Sequence, residues 1–424
     1  MVQKMKKDAE GEVMETEDSI LDRIRQRDSW LQFLYYKIEH QNLRREEEKQ
    51  IWDYIENERY QEAAKQIEAG SFPGEYPVKK ALNKEGTNKK RIVYSFSGDT
   101  SITLKFIAFY LYKFDDMFGK NCYAFRRTYG VGDAIGRISK NPSYMKKYCF
   151  KADISNYFNS IDTELLLKKL EGVRERDKFL YGIFENILLE EHVQENGRII
   201  TEKHGAMAGI PIAPFFANIY LSEVDMCFKD REYFRYSDDI LLFADTYEEL
   251  LKKKEQLYRF LSSHHMEMNE EKESFAQPGE SWEFLGFSYE SGLFDLSKNT
   301  RRKIKAKIKR KADALRRWQR KKGLSGEKAA IGFIRAMNYK FYGEGDGEGD
   351  EFTWSRWFFP NLTTDAGLKE IDRYMQEYIR YAVTGRHYKG NYRISYEKMK
   401  EWGYRSLVHE YYKYRKGKNR HPSK

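Results

Sequence analysis

Two acidic fragments hold the side chains best suited to chemistry: Lys151-Ala-Asp-Ile-Ser-Asn-Tyr-Phe-Asn-Ser-Ile-Asp162 and Phe234-Arg-Tyr-Ser-Asp-Asp-Ile-Leu-Leu-Phe-Ala244. Each sets carboxylates where an apolar strand meets a turn. In the second, Tyr233 to Tyr236 and Ile240 to Ala244 read as short strands, which leaves Ser237, Asp238 and Asp239 to make the bend. Adjacent charges flanked by residues that favour burial are costly unless something compensates them. A pair of Mg²⁺ ions would do so. Metal ions roughly 3.5–4 Å apart clamp the attacking and leaving oxygens of an in-line phosphoryl displacement. Mg²⁺ prefers one or two carboxylates plus substrate phosphates to an all-protein cage. The competing reading of an Asp-Asp turn is a solvated hairpin tip.

The elements that must hold these fragments follow from pattern. Ile20, Leu21, Ile24, Trp30, Leu31, Leu34 and Tyr35 give an apolar helical face, and a second helical stretch runs to about Ala69, where Gly70-Ser-Phe-Pro-Gly74 breaks it. Val78 to Phe96 reads as a hairpin with a basic tip, Asn83 to Arg91. Asp99 to Phe118 is expected to be a core helix, and a further helix runs through Ile138. Farther on, Ile304, Ile308, Ala312, Leu315 and Trp318 fall on one helical stripe, while Lys305, Lys309, Arg316 and other cations crowd the rest. Such a helix suits a nucleic-acid backbone; an anionic membrane surface is the alternative.

An acidic glycine run, Gly343 to Asp350, reads as a linker, with a calcium loop as the weaker alternative. An aromatic, basic tail follows, with a helix from about Asp365 to Val383. The expected domains are thus 1–74, 75–290, 291–342, the linker 343–353, and 354–424.

Composition agrees. A formal charge of +10 and a pI near 9.0 suggest a polyanionic partner, while 66 acidic residues require the basic character to be local. Thirty-two tyrosines among the lysines and arginines suit a surface that stacks bases. Cys122, Cys149 and Cys227 lack metal-ligand spacing and point to a reducing compartment. No apolar run reaches ~18 residues, and the charged start is unlike a signal peptide, so no membrane is expected and the location is cytoplasmic.

In these residues the chain resembles the bacterial defence-associated, unknown-group reverse transcriptases, relatives of the retron and group II intron enzymes. Tyr236-Ser-Asp-Asp239 is similar to their Tyr-x-Asp-Asp box, and Asp153 with Phe158 to their first catalytic motif. Gly209 to Leu221, Asn269-Glu-Glu-Lys272 and Phe284-Leu-Gly-Phe287 follow in the family's order. The resemblance runs from about Lys89 to Lys322. It implies an α+β right-hand polymerase with fingers, palm and thumb, a helical N-terminal segment and a helical C-terminal extension.

The resemblance also implies roles. Asp153, Asp238, Asp239 and the Ile154 carbonyl would bind two Mg²⁺ ions, with Mn²⁺ as substitute, and Lys272 would protonate pyrophosphate. Lys90 and Arg91 would meet the triphosphate, Phe158 would read the sugar, and Pro211 and Ile212 would line the nucleotide site. Phe284, Leu285 and Gly286 would grip the primer. Lys305, Lys309 and Arg316 would hold the duplex. Where many relatives have Pro-Gln-Gly, this chain has Pro211-Ile212-Ala213, without the amide that bonds substrate or template.

The implied activity is RNA-directed DNA synthesis from deoxynucleoside triphosphates on a dedicated noncoding RNA, forming an RNA/DNA duplex, in antiphage defence. Two other readings share the scaffold. An RNA-directed RNA polymerase is opposed by Phe158, and a noncatalytic RNA-binding protein by the intact carboxylates. Priming is expected from a nucleic-acid hydroxyl, with Tyr404, Tyr411, Tyr412 and Tyr414 as the protein alternative.

Overall fold

The computed structural model describes residues 18–41, 43, 45–83, 90–127, 129–229, 232–343 and 353–420. The tip of the basic hairpin, residues 84–89, and most of the acidic glycine linker lie outside them. The chain forms two compact units: Met1–Ala134 with Lys147–Phe275, and Ile135–Lys146 with Ala276–Lys424.

The first unit opens with four helices, α1 (Ile20–Arg25), α2 (Arg27–Gln41), α3 (Arg45–Glu56) and α4 (Tyr60–Glu68). Ser19 starts α1 through a capping box with Asp22, each side chain accepting from the other's backbone N–H. Trp30 is buried against Phe106, Tyr54 and Tyr60, with ring centroids 4.1, 5.0 and 5.7 Å away. These helices therefore share one apolar core with the rest of the unit.

A hairpin of β1 (Val78–Asn83) and β2 (Lys90–Ser95) comes next, in the register Val78 to Ser95 and Asn83 to Lys90. Helix α5 (Gly98–Tyr110) continues as a 3₁₀ helix over Leu111–Met117, and α6 spans Val131–Ser139. Strand β3 (Tyr148–Asp153) ends at a 3₁₀ turn, Tyr157–Ser160. Helices α7 (Thr163–Lys169), α8 (Glu171–Arg176) and α9 (Lys178–Leu189) follow, then β4 (His192–Glu195) and β5 (Arg198–Thr201). Asp177 caps α9 by accepting from Leu180 N, and its other oxygen accepts from Ile20 N and Tyr110 Oη, tying three elements to one buried carboxylate.

Helices α10 (Ala213–Tyr220) and α11 (Ser222–Cys227) precede a hairpin of β6 (Tyr233–Tyr236) and β7 (Asp239–Ala244). Helix α12 (Tyr247–Ser263) and the short β8 (Ser274–Ala276) complete the unit. One sheet has the order β2-β1-β4-β5, with β4 parallel to β1; the other has the order β6-β7-β3-β8.

The second unit contains β9 (Trp282–Phe284), β10 (Phe287–Glu290) and β11 (Leu293–Leu296). Its helices are α13 (Lys298–Lys322), α14 (Gly326–Tyr342), α15 (Trp354–Phe358), α16 (Ala366–Thr384), α17 (Tyr396–Glu401) and α18 (Leu407–Arg420). Ser297 caps α13 at Thr300 N, and Gly323 ends it at φ +62°. The β9–β10 turn belongs to this unit for a local reason: Gly286 O accepts from Ser297 N at 2.9 Å and from Thr300 Oγ1 at 2.8 Å. The compact units consequently divide at Phe275/Ala276, not at 290/291, and 1–74 shares a unit with the two sheets.

Ile304, Ile308 and Ala312 are buried, as the stripe on α13 requires; Leu315 is half-buried and Trp318 exposed. Among the described residues no helix is long and apolar enough to cross a membrane.

Candidate active site

Strands β3 and β7 pair antiparallel and place Asp153 directly opposite Asp239. Asp238 occupies the two-residue turn with Ser237, whose φ of +58° is the left-handed conformation that closes the bend between Tyr236 and Asp239. The chain leaving β3 is fixed on both sides. Ile154 N donates to Asp238 O, Asn269 N to Asp153 O, and Ser155 N to Glu267 O, at 3.2, 2.8 and 2.8 Å. The segment carrying Asn269 and Lys272 is thereby laid against the carboxylates.

Two lysines meet this acidic cluster. Lys272 Nζ pairs with Asp153 Oδ1, and Lys151 Nζ lies 3.2 Å from Asp239 Oδ1. Burial, reinforced by the charge of Asp153, raises the Asp238 carboxyl above its ordinary value, while Lys272 and Arg91 oppose the shift. Burial likewise pushes Asp239 up to about 6, against the pull of Lys151. The Asp239 Oδ1 is out of reach of solvent and, despite its ionic contact with Lys151, accepts no hydrogen bond of good geometry.

Asp153, Asp238 and Asp239 supply carboxylate oxygens, the donor type that hard divalent cations take, and burial presses the Asp238 and Asp239 carboxyls toward protonation. Among the described residues no three His, Cys, Asp or Glu side chains are gathered so that they could hold a metal ion. This agrees with lysines facing two of the three carboxylates.

Beneath the turn lies a second charge cluster, which local sequence does not reveal. Arg235 and Asp225 are fully buried and paired through two bonds, Nε to Oδ1 at 2.8 Å and Nη2 to Oδ2 at 2.6 Å. Tyr233 Oη also donates to Asp225 Oδ1 at 2.9 Å, and Arg235 Nη1 reaches Ser237 O at 3.4 Å. The pair braces the hairpin from below. Asn218 on α10 donates to Ala124 O at 2.8 Å, and Tyr123 N donates to Arg235 O at 2.9 Å, clamping the segment that bears Phe125. Phe125 is left 45% exposed at φ +55°, with its ring centroid 6.2 Å from that of Tyr236 and 6.5 Å from that of Phe158. Phe158 is half-buried at this aromatic corner. It sits in the 3₁₀ turn that follows β3, with its ring centroid 5.5 Å from that of Tyr157.

The loop before α10 is stitched between β2 and that turn. Tyr94 N donates to Ala208 O and Ala206 N to Phe158 O, both at 2.8 Å. Gly209, at φ +110°, passes so close that a Cβ there would sit 2.8 Å from Tyr94 O. Pro211 is half-buried, whereas Ile212 is fully buried, so its side chain is a core anchor and not a nucleotide contact. Lys90 and Arg91 are exposed on β2.

In the second unit Phe284 is fully buried, which removes its side chain from contact with nucleic acid. Leu285 and Gly286, at φ +52° and +87°, form the turn beyond it. Of the three cations expected to hold a duplex, Lys309 is exposed. Lys305 pairs with Glu370, and Arg316 donates to Ala382 O and Val383 O at the end of α16, so these two serve packing within the protein. The hydroxyls of Tyr404, Tyr411 and Tyr412 donate to Asp372, Leu362 O and Asp365.

Residues 80–289 match the family described as reverse transcriptase (RNA-dependent DNA polymerase). No curated protein sequence matches the chain. Similar solved structures include an apo telomerase from Candida tropicalis truncated from its C-terminal domain, at 12% identity and a TM-score of 0.40, covering 52% of this chain and 55% of that one. A telomerase from Candida albicans in complex with a TWJ fragment of telomeric RNA gives 13% and 0.41, with 83% and 68% covered. The apo Candida tropicalis telomerase gives 12% and 0.43, with 74% and 57% covered. The chain thus spans little more than half the length of the first of these.

Proposed function

We propose, from the premise that residues 80–289 form a reverse transcriptase domain and that the chain is an RNA-directed DNA polymerase, a nucleotidyltransferase, that it copies a dedicated noncoding RNA into DNA. The observation that carries this reading is the pairing of Asp153 with Asp239, with Asp238 at the turn between β6 and β7. Asp153, Asp238, Asp239 and the Ile154 carbonyl are the groups that would hold two Mg²⁺ ions, or Mn²⁺ in their place. When bound, such ions make the primer 3′-hydroxyl a better nucleophile and neutralise charge on the departing pyrophosphate.

The chain's own residues supply the rest. Arg91 and Lys90 draw the triphosphate toward the carboxylates; the charge of Arg91 is already felt at Asp238. Lys272, held at Asp153, is positioned to give a proton to pyrophosphate. Phe158 excludes a ribose 2′-hydroxyl and so favours deoxynucleotides. Synthesis starts from a nucleic-acid hydroxyl; engagement of the Tyr404, Tyr411 and Tyr412 hydroxyls within the tail supports this over protein priming. The role we assign to the product is defence against phage, in the cytoplasm. Its support is the resemblance to the defence-associated enzymes, whose departures from Pro-Gln-Gly look like Pro211-Ile212-Ala213 in this chain.

The test compares deoxynucleotide and ribonucleotide incorporation on a primed RNA template, for the wild type and Phe158→Val. The expected result is DNA synthesis by the wild type and a ribonucleotide share raised about 10-fold or more in the variant, as removal of a steric clash worth at least ~1.4 kcal/mol requires. Equal use of both nucleotides by the wild type would overturn the reading.

A further inference from the structure

Helices α13 and α14 enclose a groove that the polymerase chemistry does not use. They pack tightly where Gly332 faces Leu315: a Cβ on Gly332 would sit 2.8 Å from Leu315 Cδ1. Leu315, Ile331 and Gly332 form the floor of a cleft of about 380 Å³. Through Ile331, Gly332 and Arg335 it joins a second cleft of about 780 Å³ that reaches Tyr339 and Trp402.

The lining follows helical spacing. Lys311, Leu315 and Trp318 lie along one face of α13, and Lys328, Ile331, Arg335 and Tyr339 along one face of α14. Trp318 is 45% exposed and Tyr339 51%. No carboxylate lines either cleft, and among the described residues none pairs with Lys311, Lys328 or Arg335. This contrasts with Lys305 and Arg316, which other groups of α16 engage. Large exposed aromatics beside cations that no carboxylate neutralises match a polyanion with flat bases.

We propose that this groove holds a single strand of RNA, its phosphates on Lys311, Lys328 and Arg335 and its bases stacked on Trp318 and Tyr339. A duplex hides its bases from such stacking; a single strand does not. The choice of RNA rests on the proposed function, because the DNA product of an RNA-directed polymerase stays paired with its template and the unpaired strand is RNA.

The test uses the full chain and fluorescent probes: an unstructured oligopyrimidine RNA, the same sequence as DNA, and an RNA/DNA duplex. Trp318→Ala with Tyr339→Ala weakens binding of the RNA strand about 10-fold or more and leaves duplex binding unchanged. Lys311→Gln with Arg335→Gln weakens it too and makes the salt dependence shallower by about 0.7 per lost phosphate contact. Arg302→Gln with Lys303→Gln removes the same charge elsewhere on α13 and leaves strand binding intact.

Three results would overturn the proposal: equal loss with the Arg302/Lys303 control, loss of duplex binding instead of strand binding, or DNA bound as tightly as RNA. Primer extension on the same preparations separates this groove from the polymerase reading. A wild type that extends primers while its RNA binding ignores Trp318 defeats the groove alone, and one that needs Trp318 for RNA yet makes no DNA defeats the polymerase reading.

Discussion

The Arg235–Asp225 pair is fully buried and the Asp153, Asp238 and Asp239 cluster half-buried, and both bear on one hairpin, yet they meet the cost of burial in opposite ways. Arg235 meets Asp225 through two charge-assisted bonds, with Tyr233 adding a third contact, and the set is close to neutral. The carboxylate cluster faces two lysines, Lys151 and Lys272, and its Asp238 and Asp239 carboxyls are still pushed toward protonation. A paired charge under the turn fixes geometry; the under-compensated one at its tip is the part that the proposed function gives to cations.

The strongest way to break this comparison is to remove a carboxylate that only chemistry needs. Asp153→Asn is expected to lower DNA synthesis by at least about 10³-fold while the protein stays folded, since one preorganised charge-stabilising group is worth roughly that much. Primer extension beside a far-UV CD spectrum checks it. The braced cluster gives the opposite result: Arg235→Met strands a buried Asp225 and costs about 3–5 kcal/mol of stability in urea unfolding. Replacing both partners, Arg235→Met with Asp225→Leu, recovers most of that loss. If the double variant is as unstable as the single one, the account of the pair fails.

Lys272→Ala is expected to lower kcat about 10²-fold with little change in KM, the range for loss of a positioned general acid. Steady-state incorporation measures both, and an effect on KM alone would make Lys272 a binding residue. Asp239 sharpens the comparison through pH. Its folded carboxyl sits at about 6 against an ordinary 3.8, so the folded state holds this proton more tightly than the unfolded chain. Stability is then lost as pH rises through that interval. Asp239→Asn should be more stable than the wild type at pH 7 by on the order of 1–3 kcal/mol, with the gap closing toward pH 4 in thermal melts.

Much of the site is legible because it is local. A turn of Ser237 and Asp238 between apolar strands, and an acidic residue at the end of a strand, are short-range signals, and the structure brings Asp153, Asp238, Asp239 and Lys272 together. The two-residue turn Asn196-Gly197 gives an equally local signal for the β4–β5 hairpin, although nothing in those residues says that β4 will run parallel to β1. That Arg235 is buried, and that its partner lies on α11, is set by tertiary packing and not by Phe234 and Tyr236 beside it.

Helical stripes carry the same limit. The face through Ile304, Ile308 and Ala312 is read correctly, while the choice of which neighbour covers Leu315, and which cations α16 will engage, depends on a helix far along the chain. Phe284 and Ile212 fall on motif positions and yet point into the core, because a motif fixes a backbone turn before it fixes a side chain's direction.

The most direct test of the central claim measures DNA synthesis and unfolding free energy on Asp238→Asn and Asp225→Asn side by side. Asp238→Asn should keep or gain stability and make no DNA on a primed RNA template, while Asp225→Asn should lose stability first. DNA synthesis by a folded Asp238→Asn protein at the wild-type rate would contradict the assignment of this carboxylate cluster as the polymerase active site.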